Sequence, residues 1–175
     1  MLSSVLLLAA AAIGQADAAA ASGADLLKEY GQAMVGRWHG EVTFRGDAAS
    51  AEGKAEKVSA RAVIRWIVNE KALEGESQIG DMKTKWILGW DPVSGKLRSM
   101  GADSSGAMTE STLTKEDGAW VWTLTNLLTD GTKRSNTDIM IIRDEGKTHV
   151  HEGTSIGAKL GNYRGVWKRI EQNEK

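Results

Sequence analysis

The stretch Val35-Gly36-Arg37-Trp38-His39-Gly40-Glu41-Val42-Thr43-Phe44-Arg45 decides the fold. His39, Glu41, Thr43 and Arg45 alternate strictly with Trp38, Gly40, Val42 and Phe44. A period of two belongs to a β-strand with one face in water and the other in a core, so the second set points inward. From Trp38 onward this texture recurs in segments of about eight to twelve residues rich in Val, Ile, Thr and Trp. Turn chemistry separates them: Gly46-Asp47, Asn69-Glu70-Lys71, Gly80-Asp81, Asp91-Pro92-Val93-Ser94-Gly95, Asp103-Ser104-Ser105-Gly106, Glu116-Asp117-Gly118, Thr129-Asp130-Gly131, Asp144-Glu145-Gly146 and Ile156-Gly157. These turns separate about ten strands.

Short strands joined by tight turns, with no helical segment between them, are antiparallel neighbours in up-and-down order. A twisted meander of about ten strands does not stay flat, and closing it removes both exposed edges. The predicted fold is therefore all-β, a closed antiparallel up-and-down barrel. A sandwich of two sheets is the competing architecture.

Working back from Val35, residues Ala24 to Val35 have helical spacing, with Leu26, Leu27, Tyr30 and Met34 near one face and Asp25 near the start. One short helix thus precedes the barrel. Before it, Val5 to Ile13 form an apolar run followed by Gly14, Gln15 and the small-residue stretch Ala16-Asp17-Ala18-Ala19-Ala20. That order reads as a signal peptide, the run being too short for the roughly 20 residues that span a bilayer. A buried N-terminal helix is the competing reading, since Ala favours helix. The expected organisation is a leader at 1–20, helix and lead-in at 21–37, barrel at 38–170 and a disordered tail at 171–175. Periplasmic or secreted localisation without a membrane anchor follows.

The 175 residues contain no Cys, which excludes disulfides and thiolate metal sites and leaves the core to stabilise the fold. Lys and Arg total 22 against 23 acids, and losing Asp17 with the leader leaves 22 against 22. Nothing in this balance favours nucleic acid or anionic lipid.

Parity along the later strands places Ala62, Ile64, Trp66 and Val68 inside, then Thr84, Trp86, Leu88 and Trp90, then Trp120, Trp122 and Leu124, and finally Tyr163, Gly165 and Trp167. All seven tryptophans point inward by this count. Trp66, Trp86, Trp90, Trp120 and Trp122 are the candidate ligand-binding set, because a barrel wider than about eight strands is harder for side chains to fill. The bland alternative is that they only pack.

The triplet Gly36-Arg37-Trp38, at the junction of helix and first strand, resembles the Gly-x-Trp signature of lipocalins and other calycins. In that superfamily the Trp plugs one end of the barrel and an Arg from the end of the last strand covers it. The resemblance implies that Arg169 lies over Trp38, with Gly36, Trp38 and Arg169 structural. The chain also resembles a bacterial family of unknown function with lipocalin-like barrels, through residues 35–41, through Ile87-Leu88-Gly89-Trp90-Asp91-Pro92 with Gly95-Lys96, and through Asp117-Gly118-Ala119-Trp120-Val121-Trp122. That family implies a fold and no catalytic residues.

His149 and His151, two apart, share a strand face and could chelate a metal. Lys147 has the same parity, which reads as a solvated face, and no metal or other cofactor is predicted. Asp103, Glu110 and Glu152 are the candidate inward acids, because a desolvated carboxyl is a potential general base. No nucleophile elbow, phosphate loop or dinucleotide fingerprint occurs, and no catalytic residue is assigned.

The leading expectation is a non-catalytic protein that binds or carries a small apolar molecule inside the barrel. An enzyme using an inward carboxylate or His is the alternative, and a fully packed envelope interaction module the third. We expect exported protein to begin at Ala19 or Ala21 on N-terminal sequencing. An intact Met1 on cytoplasmic material would contradict the leader and the compartment together.

Overall fold

The computed structural model describes residues 23–45, 55–156 and 159–171, with the backbone alone for 155, 156 and 159–161. The leader at 1–20, the turn residues Gly46, Asp47 and Gly157, and residues 172–175 of the tail lie outside the described residues. Helix α1 (Gly23–Met34) precedes ten strands: β1 (Gly36–Arg45), β2 (Glu56–Ile67), β3 (Ala72–Ile79), β4 (Met82–Asp91), β5 (Lys96–Asp103), β6 (Met108–Glu116), β7 (Ala119–Leu127), β8 (Lys133–Arg143), β9 (Thr148–Ile156) and β10 (Lys159–Arg169). Each strand pairs antiparallel with the next, and β10 closes on β1. The barrel, not the sandwich, is the architecture.

The expected turns between Asn69 and Gly146 fall between strands, with Asp91, Asp103 and Glu116 as the last residues of the strands before them. The tightest joins β6 to β7, where Glu116 pairs Ala119 across Asp117-Gly118. Both turn residues have positive φ, 47° and 80°, the twist that suits a two-residue hairpin and that an Asp-Gly pair adopts readily. Two boundaries differ from expectation. The barrel starts at Gly36, two residues before Trp38, because Gly36 and Arg37 already pair with Ile64 and Val63 of β2. Val68, expected inside, lies in the β2–β3 turn with φ of 52° and is 69% exposed. There the chain reverses, so strand parity no longer applies to it.

Alternation fills the interior as the strand pattern requires. Trp38, Val42, Leu73, Leu88, Leu97 and Leu113 are each no more than 1% exposed. Leu73 pairs Leu88, and Leu97 pairs Leu113, across neighbouring strands. Helix α1 covers one end of the barrel through Leu27, Tyr30, Gly31 and Met34. Its glycines let it approach closely: a Cβ at Gly31 would fall on the ring of Trp66, and one at Gly23 on that of Trp90. Tyr30 sets its ring edge-on to Trp120, with centroids 5.0 Å apart. No described helix is long and apolar enough to cross a membrane.

The junction of helix, first strand and last strand is held by Arg169. Its guanidinium carbon lies 4.5 Å from the centroid of the Trp38 ring, with Arg169 and Trp38 paired across β1 and β10. The Arg169 nitrogens donate to the carbonyls of Ala33, Val35 and Gly146. The Trp38 indole N–H donates to Met34 O at 2.8 Å. A helix C-terminus leaves its last carbonyls without intrahelical partners and carries partial negative charge, so a cation and an N–H placed there satisfy both needs. Gly36 permits the arrangement with φ of 143° and no Cβ in the path of the guanidinium.

We expect Trp38→Ala to lower the unfolding free energy by about 3 to 5 kcal/mol, measured by chemical denaturation. A loss below about 1 kcal/mol would mean the indole does not plug the barrel.

Candidate functional site

Beneath the helix, the barrel interior holds a partly open cavity of about 210 Å³. One part of its wall is apolar, with Met34, Val42, Ile64, Trp86, Trp122 and Met140. Trp86 can lie across the cavity because its neighbours on both flanking strands are glycines, Gly75 and Gly101. A Cβ on Gly75 would overlap the indole ring.

Ser77, Thr84, Ser99 and Asp103 of β3 to β5 also line the cavity, and a row of hydrogen-bonded polar side chains runs from β6 to β10. Thr109 Oγ1 donates to Asn126 Oδ1 at 2.6 Å, and Asn126 Nδ2 donates to Asn136 Oδ1 at 3.0 Å. Asn136 Nδ2 donates to Asp138 Oδ1 at 3.0 Å, while the Tyr163 hydroxyl donates to Asp138 Oδ2 at 2.7 Å. Every bond in this row points towards Asp138, and such chains polarise one another in a low-dielectric interior. Gly153 makes the arrangement possible, since a Cβ there would fall on the Asp138 carboxylate. His151 Nε2 stands 3.8 Å from Asp138 Oδ2, too far for a direct hydrogen bond.

Burial governs the ionisation of these groups. Desolvation raises the Asp138 pKa, opposed by the charge of His151 and the hydrogen bonds from Tyr163 and Asn136. Desolvation also lowers the pKa of His151, opposed by Asp138. His149 is pushed down to about 3, first by desolvation and then by the nearby positive charges of His151 and Arg169. It packs between two indoles, edge-on to Trp38 at 4.7 Å and stacked on Trp167 at 5.6 Å. Asp103 Oδ2, His149 Nδ1 and His151 Nε2 are buried without a hydrogen-bond partner among the described residues, and all three side chains line the cavity.

Of the candidate tryptophans, Trp86 and Trp122 line the cavity. Trp66, Trp90 and Trp120 lie at the helix end instead, against Gly31, Gly23 and Tyr30. Gly36, Trp38 and Arg169 come together at the junction of the helix with the first and last strands. The solvated face expected for the two histidines is overturned: His149 is 5% exposed, and both side chains face the cavity. Lys147 misled the parity because it lies in the turn before β9 and does not share that strand's alternation. Among the described residues, no group of three His, Asp or Glu side chains is arranged to hold a metal ion.

Among the candidate acids, Asp103 lines the cavity. Its Oδ1 accepts from the Ser105 backbone N–H at 2.8 Å. Glu110 is exposed, and Glu152 faces outward to accept from Arg164 at 2.8 Å. Sequence reasoning missed Asp138 and the tyrosine that holds it. A signal existed in Tyr163, whose inward parity was legible, because a buried phenol requires a polar partner.

No family model matches the chain, and no curated protein matches it. Among solved structures, the crystal structure of Rv2717c from M. tuberculosis is similar, with a TM-score of 0.56 over 83% of this chain and 98% of that one. The two are 14% identical, so the likeness is one of fold alone.

The depressed His149 pKa predicts a pH-dependent stability. The unfolded chain takes up this proton below about pH 6.5, whereas the folded protein does so only near 3. The residue's contribution is therefore complete above pH 6.5 and falls by roughly 1.4 kcal/mol per pH unit between 6.5 and 3. Asp138 acts oppositely, because the folded state keeps its proton to a higher pH than the unfolded state does. His149→Phe keeps a ring between the two indoles and removes the titration. The difference in unfolding free energy between wild type and this variant should follow the stated slope, and a pH-independent difference would contradict a buried neutral His149.

Proposed function

We propose that this protein binds or carries a small, mostly apolar molecule that presents a hydrogen-bonding group to the Asp138 side of the cavity. The observation that carries the reading is a cavity that combines the apolar surface of Trp86, Trp122 and Met140 with Asp103, His149 and His151, which retain unpartnered buried atoms. Buried polar groups are almost always hydrogen-bonded, and each one left unpaired costs about 1 to 3 kcal/mol. A ligand that pairs with them recovers part of that cost. The cavity also argues against a fully packed interaction module.

Volume limits the ligand. A cavity of about 150 Å³ accommodates benzene, so one of about 210 Å³ suits a molecule of roughly eight to ten non-hydrogen atoms. The placement of Gly36, Trp38 and Arg169 supports kinship with the calycins, and the leader-like residues 1–20 support a periplasmic or secreted site of action.

A second reading, an enzyme, is favoured by one observation: a buried carboxyl of raised pKa, bonded by Tyr163 and facing His151, has the makings of a general acid or base. Native mass spectrometry of protein freshly purified from its own host, with extraction of any bound compound, tests both readings. A bound compound of matching size, together with a change in indole fluorescence when it is returned to stripped protein, is the result expected of a carrier. Its chemical alteration on incubation would move the assignment to the enzyme. No bound mass and no fluorescence response to small aromatic alcohols, acids and amines would overturn binding altogether.

A further inference from the structure

The geometry points to a more specific ligand class: a small aromatic or aliphatic amine whose ammonium group is taken by Asp138 and whose apolar body lies against the surface formed by Trp86 and Trp122. This rests on the cavity being a binding site.

The cavity is electrostatically one-sided. Asp138 and Asp103 both line it, and the cation among the lining residues, Lys85, turns away from it. Its Nζ engages Glu74 at 3.0 Å and Glu76 at 3.1 Å on the outside of the barrel. The half-buried Arg169 is engaged by three backbone carbonyls at the helix end. Among the described residues, His151 is the sole ion-pair partner of Asp138, and burial disfavours its charged form. Two carboxylates thus meet the interior with no fixed counter-charge beside them.

Hydrogen bonding has the same polarity. The row from Thr109 through Asn126 and Asn136 donates stepwise towards Asp138, and Tyr163 donates to it from the other side. With its proton on Nδ1, His151 offers a lone pair at Nε2, 3.8 Å from the Asp138 oxygen. A donor seated between these atoms reaches both. An ammonium group has three donors and no acceptor, and it supplies the missing charge, whereas a carboxylate ligand would face Asp138 unpaired. Indole faces add attraction for a cation held in a desolvated site.

Three probes of nearly equal size separate charge from shape: benzylamine, benzyl alcohol and benzoate, titrated near neutral pH with indole fluorescence as the readout. Benzylamine should bind at least about tenfold more tightly than benzyl alcohol, with benzoate weakest. Asp138→Asn should bring the amine to within about twofold of the alcohol, abolishing the preference for the charged probe. If that variant does not fold, Asp103→Asn should still lower the preference for the amine over the alcohol severalfold. Benzoate or the alcohol equalling the amine on wild type would overturn the amine assignment and leave the binding site standing. Binding of none of the three overturns it too, and a neutral or acidic compound extracted from host-purified protein would do so independently of the probes.

Discussion

Arg169 is the group on which the arrangement of the molecule turns. Closing ten strands produces a cylinder with two ends, and at the end where β1 begins and β10 finishes one guanidinium lies over the Trp38 indole. The same guanidinium binds Ala33 and Val35 from the helix C-terminus and Gly146 from the turn before β9. Helix, first strand, last strand and one interstrand turn are therefore fastened at a single point. The charge is affordable there because three carbonyl dipoles and an aromatic face replace the water it gives up.

Once fastened, the helix decides how the interior is divided. It occupies the end where Trp66, Trp90 and Trp120 point inward, using Gly31, Gly23 and Tyr30 as its contact surface. The rest of the interior remains for Trp86, Trp122 and the polar row. Glycine sets the fine shape: Gly75 gives the Trp86 indole its space, Gly101 lets the backbone of β5 lie close to Trp86 and Lys85, and Gly153 gives space to the Asp138 carboxylate. Large side chains thus lie over the absent side chains of their cross-strand neighbours, a close-packed solution to a wide barrel. The cavity is what such packing leaves unfilled, and its polar wall has more hydrogen-bonding capacity than its neighbours satisfy.

Much of this was legible before any coordinates. Alternation in β1 and the Asp-Gly and related turns are local signals, set by side-chain period and by backbone torsions that few residues tolerate. They sufficed for the barrel, the strand count, the leading helix and the inward parity of every tryptophan. Position along the barrel axis was not legible. Parity says that Trp90 and Trp86 both face inward, but only the stagger of the strands and the docking of the helix say that one meets Gly23 and the other the cavity.

The polar half of the site was hidden for a related reason. In β8 the outward residues Ile139 and Ile141 are 46% and 40% exposed, so hydrophobicity alone assigns the wrong face, while Asn136 and Asp138 look inward. Asp138 is acceptable inside because Tyr163 and Asn136, on β10 and β8, donate to it, and Tyr163 lies 25 positions further along the chain. The amino-acid sequence by itself determined what depends on neighbours in the chain: strands, turns, parity and the absence of cysteine chemistry. Tertiary structure alone decided which inward residues meet and which charges remain without a counter-charge, because those are properties of strand register and barrel closure rather than of any single strand.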